Sequence, residues 1–171
     1  LPLLLRAGLW IVLTVYLFAL VKIVLLKYGV GANLRSYNFL PFQFVAGLIR
    51  GDASLDVALK NVLGNFAIFL PLGVLAPALC KRLDAWWKPV LLGLCVSALF
   101  ELMQCVFGLG ATDVDDLILN TLGAMAGSAL YFGLFRRLRT EGRVLAVSLA
   151  FLCAFGLAGL LSLWLYAPSE L

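Results

Sequence analysis

The residues able to do chemistry in this chain are few, and they recur at helical spacing. Asn61 and Asn65 stand four apart and Glu101 and Gln104 three apart. Asp113, Asp116 and Asn120 fall at i, i+3 and i+7, with Gly123 and Gly127 continuing the same stripe. The chain contains 0 histidines, which removes Ser-His and Cys-His nucleophile pairs along with the commonest metal ligand. Carboxylates and amides in this pattern can orient a polar ligand or move a proton through a carboxyl group, for which Glu101 is the candidate. They can also hold a divalent cation on oxygen ligands, with Asp113 and Asp116 as the candidates. No other cofactor is evident.

The elements that must position these side chains are membrane spans. Hydrophobic residues make up 64% of the 171 residues and charged residues 13%. A soluble domain averages about 45–50% and about 25%. Apolar runs long enough to cross ~30 Å of hydrocarbon recur along the chain. The reading is an all-α, polytopic membrane helix bundle forming a single domain over residues 1–171. It has about five transmembrane helices, near 3–26, 60–79, 88–107, 114–135 and 144–166. The first apolar run is too long for a signal-peptide core and reads as a retained helix. Between the first two spans, residues 38–49 are apolar but too short to cross. With Pro41 near their start and Arg35, Arg50 and Asp52 on the flanks, they read as an interfacial or re-entrant segment.

The cations sort by side. Arg6, Lys81, Arg82, Lys88, Arg136, Arg137, Arg139 and Arg143 fall on the face shared by the N-terminus and the loops after the second and fourth spans, while Lys27, Arg35, Arg50 and Lys60 fall opposite. The positive-inside rule then places the N-terminus in the cytoplasm and the C-terminus outside, in a multi-pass protein of the bacterial cytoplasmic membrane. The net charge of +4 thus serves topology, and nucleic acid is not an expected partner. Cys80, Cys95, Cys105 and Cys153 lie singly in or beside apolar segments and read as small buried hydrophobes.

Depth brings the polar residues together. At ~1.5 Å per residue, Glu101 lies roughly 9 Å below the outer end of its helix and Asn120 about 10 Å below the start of its own. Three spans therefore present carboxylates and amides in one outer third of the bilayer, and the first long loop adds Arg35, Asn38 and Gln43 on the same side. Plainer readings stand beside this one. Thr112 and Asp115 fit a capping box, with Thr112 as the cap, and an acidic first turn suits the helix dipole. Asn61, Asn65 and Asn120 fit interhelical hydrogen bonds, and Gly123 and Gly127 fit close helix packing. Glu101 is the hardest to explain structurally, because a carboxylate in hydrocarbon needs a partner, a proton or water. Arg35 is its expected counter-charge.

Four segments resemble the VanZ-like family. Arg35-Ser36-Tyr37-Asn38-Phe39-Leu40-Pro41-Phe42 is similar to its Arg-x-x-Asn-hydrophobic-x-Pro-Phe motif. Asn61-Val62-Leu63-Gly64-Asn65 with Phe69-Leu70-Pro71-Leu72-Gly73 resembles the second motif, and Glu101-Leu102-Met103-Gln104 the third. The stretch from Asp113-Val114-Asp115-Asp116 through Asn120 and Gly123 to Gly127 resembles the fourth. The matches run in the family's order over residues 35–135, with the helix at 144–166 beyond them. Where members often carry an Arg before the acidic motif, this chain has Gly108-Leu109-Gly110-Ala111-Thr112. The resemblance implies a small bacterial membrane protein, and the family's name-giving member is linked to resistance to teicoplanin, a lipoglycopeptide.

Two functions of different class follow. One is an outward-facing polar pocket that binds a membrane lipid headgroup or a lipoglycopeptide, using Arg35, Asn38, Asn61, Asn65, Glu101, Gln104, Asp113, Asp116 and Asn120. The alternative is an intramembrane enzyme acting on a lipid-linked envelope precursor with Glu101 as general acid or base. A small transporter is a third reading.

Overall fold

A computed structural model of the protein describes residues 2–25, 36–52, 54–138 and 140–165. The long apolar runs form helices α1 (Pro2–Leu25), α3 (Leu55–Leu79), α4 (Trp87–Phe107), α5 (Val114–Gly133) and α6 (Glu141–Leu165), while a short α2 (Gln43–Arg50) occupies the first long loop. Four of them, α1, α3, α4 and α5, are long and apolar enough to cross a membrane. In α6, the apolar stretch with described side chains is Gly142–Leu157, so the expected fifth span rests partly on residues whose side chains lie outside the description. The expected interfacial segment is α2, an eight-residue helix with no buried residue, too short at ~1.5 Å per residue to cross.

One element was not expected in an all-α chain. Ser36–Asn38 (β1) and Ala111–Asp113 (β2) pair as parallel strands, with Ser36 opposite Ala111, Tyr37 opposite Thr112 and Asn38 opposite Asp113. This clip ties the first long loop to the start of α5.

The centre of the bundle is the pair α3 and α5, which approach along small residues. A Cβ on Gly123 would meet the Phe66 carbonyl oxygen, and one on Gly127 would meet the Leu70 carbonyl oxygen. Gly73 answers from α3, where a Cβ would stand 2.7 Å from the Ser128 nitrogen. Lipid tails give helices no hydrophobic reason to associate, so close backbone approach and dispersion supply the attraction. Around this contact Phe69, Leu72, Phe100 and Ala124 are buried with Leu20 and Leu25 of α1, and Leu9, Leu75, Leu145 and Leu152 form a second cluster joining α1, α3 and α6.

Pro71 and Pro77 lie inside α3. A proline cannot donate to the carbonyl one turn earlier, and transmembrane helices tolerate this where side chains re-satisfy the freed backbone. Next to the Ala67 carbonyl that Pro71 leaves without its helical donor, the Tyr16 hydroxyl donates to the Ile68 carbonyl at 2.7 Å and ties α1 to this turn of α3. The cysteines depart from expectation: Cys80, Cys95 and Cys153 are exposed and only Cys105 is half-buried, all as free thiols. For the cysteines within the spans the surrounding bilayer supplies the apolar environment that a protein core was expected to supply.

Candidate functional site

The last turns of α1 and α4 and the first turns of α3 and α5 meet at the bundle end away from the N-terminus. They enclose a cavity of about 660 Å³, within the size range of small-molecule sites. Asn61, Asn65, Gln104, Asp113 and Asp116 line it, with Lys60 alongside and Phe44 of α2 forming part of the wall.

The acidic motif is held in place by the strand clip. Asp113 is still extended at φ −131°, ψ 121°, because it is paired with Asn38, and its side chain caps α5 by accepting from the Asp115 N–H. That bond measures 2.8 Å. The same Asp113 oxygen accepts from Asn38 Nδ2 at 2.9 Å, so one carboxylate joins loop, strand and helix. The cap expected at Thr112 therefore falls one residue later, at Asp113, and without the reciprocal bond of a capping box, since the Asp113 N–H goes to Glu101. Strand pairing keeps the chain extended through Asp113, and the buried Thr112 hydroxyl makes no hydrogen bond.

Glu101 lies behind Asp113 rather than on the cavity wall. Its Oε2 accepts from the Asp113 backbone N–H at 2.8 Å, the side chain is buried, and Asp113 and Asp116 are within electrostatic reach. Asp116 accepts from Asn65 Nδ2, joining α5 to α3. Gln104 Nε2 donates to the Val24 carbonyl at 2.9 Å, joining α4 to α1, and its buried Oε1 makes no hydrogen bond. Asn120 is not brought to the cavity. It is buried between helices, donating to Ser97 Oγ at 2.9 Å, the interhelical role that asparagine commonly takes in membranes. Arg35, and with it the expected pairing to Glu101, lies outside the described residues. Among the described residues no group of three or more acidic, cysteine or histidine side chains is placed to hold a metal ion. Asp113 is engaged by Asn38 and by the α5 N-terminus.

Asp115, expected only as the third-position partner of the Thr112 capping box, has a larger role. It is 2% exposed, and its carboxylate accepts from the Phe42 N–H at 2.5 Å and the Phe44 N–H at 3.5 Å. Phe42 has φ +63°, the left-handed region that a bulky residue occupies only when its surroundings impose it. The Asp115 carboxylate holds the backbone at this turn and so ties the start of α2 to the start of α5. Three acidic residues within four positions, Asp113, Asp115 and Asp116, of which a helix needs only one for capping, were the available signal.

Fold and site together define a small polytopic membrane helix bundle with a polar cavity built at one end of its spans. The VanZ/LLP1 family profile matches residues 13–138. The chain belongs to the VanZ/LLP1 family. It is similar to Protein VanZ of Enterococcus faecium, with 31% identity over 125 residues covering 70% of each chain. No solved structure matches it.

Proposed function

We propose that the cavity receives the headgroup of a cell-envelope lipid or a lipoglycopeptide at the outer face of the bacterial cytoplasmic membrane, and that this binding contributes to teicoplanin-type resistance. The observation that supports it is the convergence of Asn61, Asn65, Gln104, Asp113 and Asp116 on one cavity that also has apolar walls in Ile23, Val24 and Phe44. A polar end with an apolar flank suits a ligand that is itself part headgroup and part chain. Arg35, by its place in the first family motif, holds the anionic portion in this reading, and Glu101 positions Asp113 through its backbone.

Asp116→Asn and Asn61→Ala are expected to weaken binding of a fluorescent teicoplanin to the purified protein roughly tenfold to hundredfold, the worth of a hydrogen bond to a charged group. Cells carrying them at equal expression should lose teicoplanin tolerance. Unchanged affinity in both variants removes the cavity from function. A Glu101→Gln variant that keeps affinity but stops turnover of a lipid-linked precursor replaces this reading with the enzymatic one.

The proposed orientation has its own test. In a variant lacking Cys80, Cys95, Cys105 and Cys153, a cysteine at Asp52 is expected to react with membrane-impermeant thiol reagent in intact cells, and one at Lys81 to be protected. The reverse pattern inverts the topology.

A further inference from the structure

The opposite end of the bundle carries a second, smaller cavity that the reading above does not use. It measures about 220 Å³ and is lined by Pro77, Lys81, Leu83, Asp84, Phe132 and Arg136, with Tyr131 beside them. That is room for a phosphate group and a few attached atoms.

Its charge is unbalanced. In sequence, the turn regions at this end carry Lys81, Arg82, Lys88, Arg136, Arg137, Arg139 and Arg143 against the acidic residues Asp84 and Glu141. Within the cavity, Asp84 is already matched: Lys88 Nζ lies 2.5 Å from its Oδ1. That hydrogen bond and the Lys88 charge, with a smaller contribution from Arg136, hold the Asp84 carboxyl below its ordinary value. Lys81 and Arg136 remain as cations facing the same space. Arg136 is also pre-set. Its Nη1 donates to the Asp84 carbonyl at 3.0 Å and its guanidinium carbon lies 5.3 Å from the centre of the Phe132 ring. A guanidinium carries five donors in a rigid fork suited to phosphate oxygens, and this anchoring uses one of them.

The depth matches a lipid headgroup. Exposed Trp86 and Trp87 start α4 next to this turn, where indole rings mark the membrane–water interface. Pro77 and Phe132 belong to spans, so the cavity's apolar wall runs on toward the acyl region.

We infer that the cavity between the α3–α4 turn and the end of α5 is a site for an anionic phospholipid, with its phosphate held between Lys81 and Arg136. Basic pockets between spans bind such headgroups, and each cation near the surface contributes about 1 kcal/mol, or about fivefold in affinity. This does not depend on what the acidic cavity binds.

The test uses the protein reconstituted with Trp10→Phe and Trp164→Phe, leaving Trp86 and Trp87 as reporters. Brominated phosphatidylglycerol is expected to quench them more strongly than brominated phosphatidylcholine at equal mole fraction. Lys81→Gln and Arg136→Gln are each expected to lower that preference about fivefold. Arg136→Lys, which keeps the charge but not the fork, is expected to retain part of it. Arg50→Gln, at the other end of the bundle, is expected to leave it unchanged. Equal quenching by the two lipids in the parent, or an undiminished preference in Lys81→Gln, overturns the site. Loss of the preference to inorganic phosphate but not to chloride of equal ionic strength overturns the lipid assignment in favour of free phosphate.

Discussion

Gly123→Leu is expected to yield no folded bundle, and Gly123→Ala a measurably weakened one. The first atom added at this position meets the backbone oxygen of Phe66, and a backbone carbonyl has no alternative rotamer. Overpacking an ordinary core costs about 1–3 kcal/mol. Here the helices must also move apart, which separates Gly127 from Leu70 and Gly73 from Ser128 at the same time. Against a total stability of about 5–15 kcal/mol, leucine is expected to exceed what the fold tolerates. Thermal unfolding in detergent, read by circular dichroism, measures it. Gly156→Ala, where an added Cβ meets nothing within 4 Å, is the internal control. An unchanged transition in Gly123→Leu would show that the α3–α5 contact is not as close as described.

The second large effect is expected at Asp115. Replacing it by alanine takes the acceptor from the Phe42 and Phe44 N–H groups, part-buried hydrogen bonds to a charged group worth about 1.5–3 kcal/mol each at most. It also releases Phe42 from its left-handed conformation, since nothing else described bonds that N–H. Amide exchange over residues 36–50 is expected to accelerate by at least about tenfold, the equivalent of about 1.4 kcal/mol. The α3–α5 core should keep its protection. Asp115→Asn, which retains an acceptor oxygen without charge, is expected to fall between. Because Phe44 walls the acidic cavity, ligand affinity should drop with it. Exchange at 36–50 identical to the parent would remove Asp115 as the tether of α2.

What could be read from the sequence divides by physical scale. Helical spacing shows that Asn61, Asn65, Gln104 and Asp116 belong at one bundle end, because hydropathy locates the spans and ~1.5 Å per residue sets the depth. That logic gives height, and spacing gives which residues share one helix face, but neither says which neighbouring helix a broad face meets along its length. It therefore groups Asn120 with Asp116, whereas Asp116 turns to Asn65 of α3 and Asn120 turns to Ser97 of α4. The same gap puts Glu101 on the cavity wall instead of behind Asp113. The β1–β2 clip has only three residues per strand, too few for a period-two pattern to stand out from a loop. Missing the clip then misplaces the cap from Asp113 to Thr112, because the point where α5 begins depends on a strand 75 residues away. The outward cysteines follow from a related difficulty: in an all-apolar helix, side chains facing lipid and side chains facing protein have the same character.

That 75-residue separation between Asn38 and Asp113 has a consequence for biogenesis. Non-local pairs form only after the intervening chain has been brought together. The intervening chain here contains α3 and α4 entire, each of which must enter the bilayer before Asn38 can find its partner. Synthesis from the N-terminus delivers β1 first and leaves it unpaired until Ala111–Asp113 emerges. The acidic cavity is thus among the last features of the membrane domain to mature, and a chain arrested before α5 would carry its spans without its site.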